Sequence, residues 1–335
     1  MGRTTYLLMY SALLCYTTSA TAHHGAAPFD TNQTVTIEGV ITEFDYRNPH
    51  GFLYLQTTDA SGNSVDVTVE TVGSSLRPYG FSAESLSAGE EVILVMNPSH
   101  RSPEEWGLGV EVIKTDGAVV PLSVRFAREL EQRSTGNATS MAGVWLPRGE
   151  DFFRFVFGRR SWSLTEKGQQ ARDAFDISDS PQGRCVAIPP PTLMLYGSIN
   201  VVEMLADRVL IHSDWLDGER AIYTDGRNAR ADEAPTVNGY SVGRWEDDAL
   251  VIETTHFTDN NSGLAQGIPS GPQKRLTERF ELIDDGAGMR YSYAFEDPEY
   301  LAEPVSGEGR WDYRPDLSPD PVECDLESAG RYLDE

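Results

Sequence analysis

The chain has 335 residues, 39% of them hydrophobic and 24% charged, which supplies more than one apolar core and excludes a disordered or collagen-like polypeptide. It carries 27 Lys and Arg against 52 Asp and Glu, a formal charge of −25. No nucleic-acid partner is expected of such a chain, because phosphate binding draws on clustered cations, and anionic membrane surfaces are disfavoured for the same reason.

Residues 1–22 have the layout of a secretory signal peptide: Arg3 near the start, an apolar run from Tyr6 to Tyr16, and Ala20 and Ala22 at the small-residue positions before a cut. Cleavage there makes His23 the first residue of a periplasmic or secreted protein. Cys15 falls inside the leader, and Leu14 before it is too bulky for a lipoprotein cleavage site. Beyond the leader no segment approaches the roughly 20 apolar residues of a membrane-spanning helix, so the processed chain is expected to be soluble. Two cysteines remain, Cys185 and Cys324, and in an oxidising compartment they are expected to pair as a structural disulfide.

From Gln33 the pattern is one of short strands. Val35 and Ile37 share a phase, Gly39 interrupts, and Val40 and Phe44 take the other phase, which predicts a bulge in a long first strand. Phe52 to Leu55 is a second strand. The turn cluster from Asp59 to Asn63 leads into a third, in which Val65, Val67 and Val69 alternate with polar residues. A short helix or loop is expected within Thr71 to Leu86, and Glu91–Met96 and Leu108–Ile113 complete five strands. Five strands with a connection after the third match a barrel of the oligonucleotide/oligosaccharide-binding type, or a small sandwich, over residues 23–120. Residues 121–142 read as a helical connector and linker.

The remainder, 143–335, opens with Trp145-Leu146-Pro147 and the aromatics Phe152, Phe153, Phe155 and Phe157, and Thr165 is placed to cap a short helix. Strands follow at Ile199–Leu205, Val209–Ser213, Arg220–Thr224, Ser241–Trp245 and Leu250–Thr255. The clearest hairpin sets Leu276, Glu278, Phe280 and Leu282 against Met289, Tyr291, Tyr293 and Phe295 across an Asp-Gly turn. The fold class is therefore mainly all-β: a small five-stranded barrel or sandwich, then a larger antiparallel meander closed or nearly closed into a barrel.

The segments His23-His24-Gly25-Ala26-Ala27-Pro28-Phe29-Asp30, Val35-Thr36-Ile37-Glu38-Gly39 and Asn48-Pro49-His50 resemble the start of an exported bacterial domain family of unknown function, over about residues 23–120. Tyr223-Thr224-Asp225-Gly226-Arg227 and Gly243-Arg244-Trp245-Glu246-Asp247-Asp248 are similar to a second group of uncharacterised exported proteins. The resemblance implies export and a two-domain cut, and brings no reaction.

Two constellations carry chemistry. A free amine and imidazole on His23, joined by His50 and adjacent to His24, form a nitrogen set suited to copper or another transition metal. The alternative is a frayed terminus and a turn-capping His50. His100 shares an Asn-Pro context and reads as a loop residue. In the larger half His212, Asp214, Asp225, Arg227, Arg244 and His256 flank apolar strands; converging, they would bind a ligand or supply acid/base groups. Asp225-Gly226-Arg227 also reads as a hairpin turn. Motifs of zincins, thioredoxin-like enzymes and P-loop proteins are missing from the sequence. The expected function is an exported binding protein for a metal ion and a small molecule or glycan; the alternatives are a hydrolase or lyase with its site in the larger barrel, or a structural, partner-binding envelope protein.

Overall fold

The computed structural model describes residues 28–59, 61–124, 134–318 and 323–330. The expected signal peptide, His23 and His24, and most of the expected helical connector lie outside the described residues.

Strands β1 (Val35–Asp45), β2 (Gly51–Thr58), β3 (Ser64–Thr71), β4 (Glu91–Pro98) and β5 (Trp106–Lys114) close into a five-stranded barrel. The pairs β1–β2, β2–β3, β1–β4 and β4–β5 are antiparallel. A parallel pair, β3 with β5 through Thr68–Trp106 to Glu70–Leu108, closes the ring and decides for a barrel over a sandwich. A short β6 (Val119–Pro121) extends the edge of β5. The 3-10 turn Gly73–Tyr79 fills the connection after β3 and drops Leu76 into a core with Ile41, Leu55, Val69, Leu94 and Val112.

The first strand bulges, at a different place from the one its sequence suggested. Ile41 pairs with Leu55 and Glu43 with Tyr54, so the extra residue is Thr42. Val40 is 39% exposed while Ile41 is buried, so the inward phase runs on through Gly39. That glycine answers a close approach: a Cβ there would stand 2.8 Å from the Gln56 carbonyl oxygen.

The larger barrel has nine strands: β7 (Gly143–Pro147), β8 (Asn200–Met204), β9 (Arg208–Ser213), β10 (Gly218–Tyr223), β11 (Tyr240–Glu246), β12 (Ala249–Thr255) and, after a separate hairpin of β13 (Asn260–Ala265) and β14 (Ile268–Ser270), β15 (Arg275–Ile283), β16 (Gly288–Glu296) and β17 (Val305–Tyr313). It departs from a pure antiparallel meander at one seam, where β10 and β11 run parallel through Ile222–Ser241 and Tyr223–Val242. Asp225-Gly226-Arg227 is accordingly a turn into the loop spanning 224–239, with Gly226 at φ 83°, rather than the tip of a hairpin.

Side chains fill the interior of this barrel. Trp145 and Trp311 are completely buried, and their indole N–H groups donate to the carbonyls of Met141 (2.9 Å) and Met194 (2.8 Å), which satisfies the polar end of each ring. Met289, Tyr291, Tyr293 and Phe295 line one face of β16, as their alternation predicts. Thr165 caps the helix Glu166–Ala174 by accepting from the Gly168 amide at 3.0 Å.

The two barrels touch through polar contacts. Arg77 of the small barrel donates to Asp214 at 2.9 Å with both side chains nearly buried, Ser75 Oγ meets Tyr196 OH at 3.1 Å, and Arg314 donates to the Pro78 carbonyl at 3.4 Å. The end of the chain also returns to the small barrel. Cys324 forms a β-bridge with Asn48, the Asp325 amide donates to the Asn48 carbonyl at 2.8 Å, and Ser328 Oγ donates to the His50 carbonyl at 2.7 Å. Cys185 and Cys324 are disulfide-bonded, Cα to Cα 5.8 Å across a separation of 139 residues, which anchors this tail to the larger half.

Candidate functional site

The helix Gly149–Gly158 is the element around which a site forms. It follows β7, and its first turn carries Glu150 and the buried Asp151, which suits the positive end of a helix. Asp151 Oδ2 accepts the Arg310 amide at 2.8 Å and so ties the helix to β17. Phe152, Phe155, Val156 and Arg159 recur at the i, i+3, i+4, i+7 spacing of one helix face.

That face lines a cleft of about 410 Å³ between the two barrels, well within the size range of small-molecule sites. The larger half contributes Phe152, Phe153, Val156, Tyr196, Trp215 and Leu216, and the small barrel contributes Pro49, His50, Val72, Ser75 and Tyr79. Ala329 of the returning tail completes the wall. Tyr196 stacks on Trp215 with ring centroids 4.0 Å apart, and Phe152 meets Tyr196 edge-on at 5.0 Å. Burial pushes the Tyr196 phenol pKa up, and its hydroxyl is held by Ser75.

Three polar atoms on this lining lack a hydrogen-bond partner among the described residues: Arg159 Nη1, Thr192 Oγ1 and His50 Nδ1. The last stands 2.9 Å from Glu70 Oε1 without the alignment of a hydrogen bond. Burial lowers the pKa of Arg159, and the nearby cations Arg160 and Arg172 lower it further.

A second cleft, about 830 Å³, opens at one end of the larger barrel and is lined by His256, Phe257, Lys274, Arg275, Asp297 and a group of prolines. Lys274 is fully buried, donates to the carbonyls of Pro190 (2.8 Å) and Gly263 (2.7 Å), and sits 4.4 Å from the Phe257 ring centroid. Burial brings its pKa down to about 7. Deeper inside, Arg220 is held by Glu278, by Ser241 and by Thr254, and Tyr291 OH donates to Glu278 Oε1 at 2.7 Å. Burial acts to lower the Arg220 pKa, but Glu278 outweighs it and the pKa rises.

The residues expected to bind ligand are distributed over the larger barrel. Asp225 and Arg227 pair with each other at 2.8 Å, which brings the Asp225 pKa down to about 2, and the Arg227 guanidinium lies 4.1 Å from the Tyr223 ring centroid. Tyr223 stacks on Tyr240, which faces His256 with centroids 6.5 Å apart, so Asp225, Arg227 and His256 follow one surface row. His256 also takes up the second cleft, with φ 58° and its Nδ1 2.8 Å from Thr255 Oγ1. Arg244 is engaged by Glu246 and Glu253 on the outer face of β11 and β12. His212 lies on the side of β9 opposite the buried Ile211 and Ser213, across from Glu219 and Val201. Asp214 serves the contact between barrels through Arg77.

Of the expected metal set, His50 precedes β2 and lines the inter-barrel cleft, while His23 and His24 lie outside the described residues. Among the described residues no group of three His, Cys, Asp or Glu side chains is arranged to hold a metal ion. The helix face Phe152 to Arg159 was missed in the sequence, where its aromatics stood out but their 3.6-residue period was not followed.

Residues 12–108 match a family of unknown function (DUF6152). The match runs through β1 to β4 and into the start of β5, so the domain family resembled by the N-terminal motifs carries no assigned reaction. No curated protein matches the chain. Among the described residues no helix is long and apolar enough to cross a membrane.

Proposed function

We propose that the chain is an exported binding protein that holds a small, largely apolar molecule in the cleft between its two barrels. The observation that carries this reading is the cleft's composition: an aromatic wall of Phe152, Tyr196 and Trp215 from the larger barrel faces Val72 and Tyr79 from the small one. Close-packed interiors rarely leave such space, and a few convergent polar atoms on an apolar lining are the usual form of a ligand site. The filled interior of the larger barrel supports a ligand between the barrels in preference to one inside it. The Cys185–Cys324 bond and the leader-like first 22 residues support an oxidising, extracytoplasmic setting.

Titration with the uncharged dye N-phenyl-1-naphthylamine, which brightens in apolar surroundings, tests the reading. Saturable binding at one site is expected, with at least tenfold loss in Val156→Trp, a substitution that fills the cleft from the helix at a half-buried position on the edge of the larger core, with circular dichroism and the thermal midpoint reporting that the variant folds. Saturable binding that Val156→Trp leaves intact, or none at all, contradicts it.

A further inference from the structure

The cleft contains a charge that none of the described residues answers. Arg159 follows the helix Gly149–Gly158 at its C-terminal end, one turn beyond Phe155 and Val156, on the face that lines the cleft. Its Nη1 is buried, and among the described residues it has no hydrogen-bond partner and no carboxylate forms an ion pair with Arg159. In a chain of formal charge −25, the neighbouring Arg148 and Arg154 are paired with Asp312 and Asp151, and the buried Arg220 with Glu278. Arg159 as a whole is half-buried, but a guanidinium nitrogen buried without a partner is costly, because charge taken out of water is ordinarily paired. A second orphan, the Thr192 hydroxyl, is 2% exposed and lines the same cleft.

We propose that the ligand of the inter-barrel cleft is an organic anion, an apolar or aromatic body bearing a carboxylate or sulfonate that pairs with the Arg159 guanidinium. The inference rests on the binding reading above and names the chemical class of its ligand. The aromatic wall takes the apolar body, and the planar fork of Arg159 suits a planar carboxylate, to which a guanidinium donates two parallel hydrogen bonds. The Thr192 hydroxyl is a further donor on the same lining. Small hydrophilic anions lack the body that the wall requires, and neutral apolar molecules leave Arg159 unanswered.

The matched probes are 2-naphthoate and 2-acetylnaphthalene, which share a ring system and differ by an anionic oxygen in place of a methyl group. Calorimetric titration of the whole protein at physiological ionic strength is expected to give naphthoate roughly tenfold to a hundredfold the affinity of the ketone, the size of a charge-assisted hydrogen bond in a desolvated site. Arg159→Gln is expected to abolish that preference while the ketone binds as before, and Arg159→Lys, which restores a positive charge without the fork, to recover part of it. Circular dichroism and the thermal midpoint report whether the variants fold, and the preference of the unaltered protein is decisive without them. Equal affinity of the two probes, both lost in Val156→Trp, overturns the anion inference and leaves the cleft as a neutral apolar site. A naphthoate preference that survives Arg159→Gln assigns the charge recognition elsewhere and also overturns it. Failure of both probes to bind, or binding that Val156→Trp does not affect, removes the cleft reading itself.

Discussion

Arg220 is a buried charge that is answered in full. Arg220 meets two oxygens of Glu278 and the hydroxyls of Ser241 and Thr254, so the pair is satisfied within the barrel. Removing one member of such a pair costs about 3–5 kcal/mol, because the other is left as an isolated buried ion. Lys274 is handled differently. A neutral amine has two N–H donors, and two carbonyls receive them. Its pKa of about 7 against an ordinary 10.5 has a definite consequence for stability. Below about pH 7 the folded and unfolded chains both carry the proton; between 7 and 10.5 only the unfolded chain does. Stability attributable to Lys274 therefore rises with pH through that window, by up to about 1.4 kcal/mol per pH unit, and is lost as pH falls toward 7. Urea unfolding at pH 7, 8 and 9 should show the parent gaining on Lys274→Met as pH rises. Parallel pH dependences for the two proteins would count against a neutral buried amine.

Among the elements, the C-terminal tail is short yet touches much. It bridges Asn48, holds both polar backbone groups of His50 through Ser328, places Ala329 in the cleft wall, and is anchored to the larger half by Cys324. Replacing Cys185 and Cys324 together by Ala should cost about 2–4 kcal/mol and speed hydrogen exchange at the amides of Asp325 and Ala329, which bond to Asn48 and Asp325 carbonyls. Unchanged exchange at those amides would mean that the tail holds its place without the bond. The hairpin of β15 and β16 was legible in the sequence because every second residue is apolar and inward. β17 was not, for a physical reason. Its inward positions include Gly307 and Gly309, where a Cβ would stand 2.3 Å from Tyr293 Oη and 2.8 Å from Leu195 Cδ2, so the partners supply the bulk and the strand shows no alternation. The parallel seam between β10 and β11 escaped notice because the polar loop 224–239 sets no strand direction.

At the scale of the whole molecule, each barrel was visible in its own stretch of sequence, while the cleft was not. Its walls come from residues 49–50, 72–79, 152–159, 196, 215 and 329, which no local pattern connects. Only a tertiary arrangement sets Ser75 against Tyr196 and Arg77 against Asp214. Small-molecule sites form preferentially at such junctions between packed units, where two rigid surfaces leave a concave apolar seam. The row of Asp225, Arg227 and His256 leads instead to the larger cleft at the barrel end, lined by Lys274, Arg275, Glu296 and Asp297, where charges mix. The two clefts therefore make opposite demands on a ligand, and its location discriminates between them. The most direct measurement is a crystallographic soak with naphthalene-sized aromatic acids and their neutral counterparts. The account predicts electron density against Phe152, Tyr196 and Trp215, with the acid group at Arg159; compounds that gather beside His256 and Lys274 while the space between the barrels stays unoccupied would contradict it.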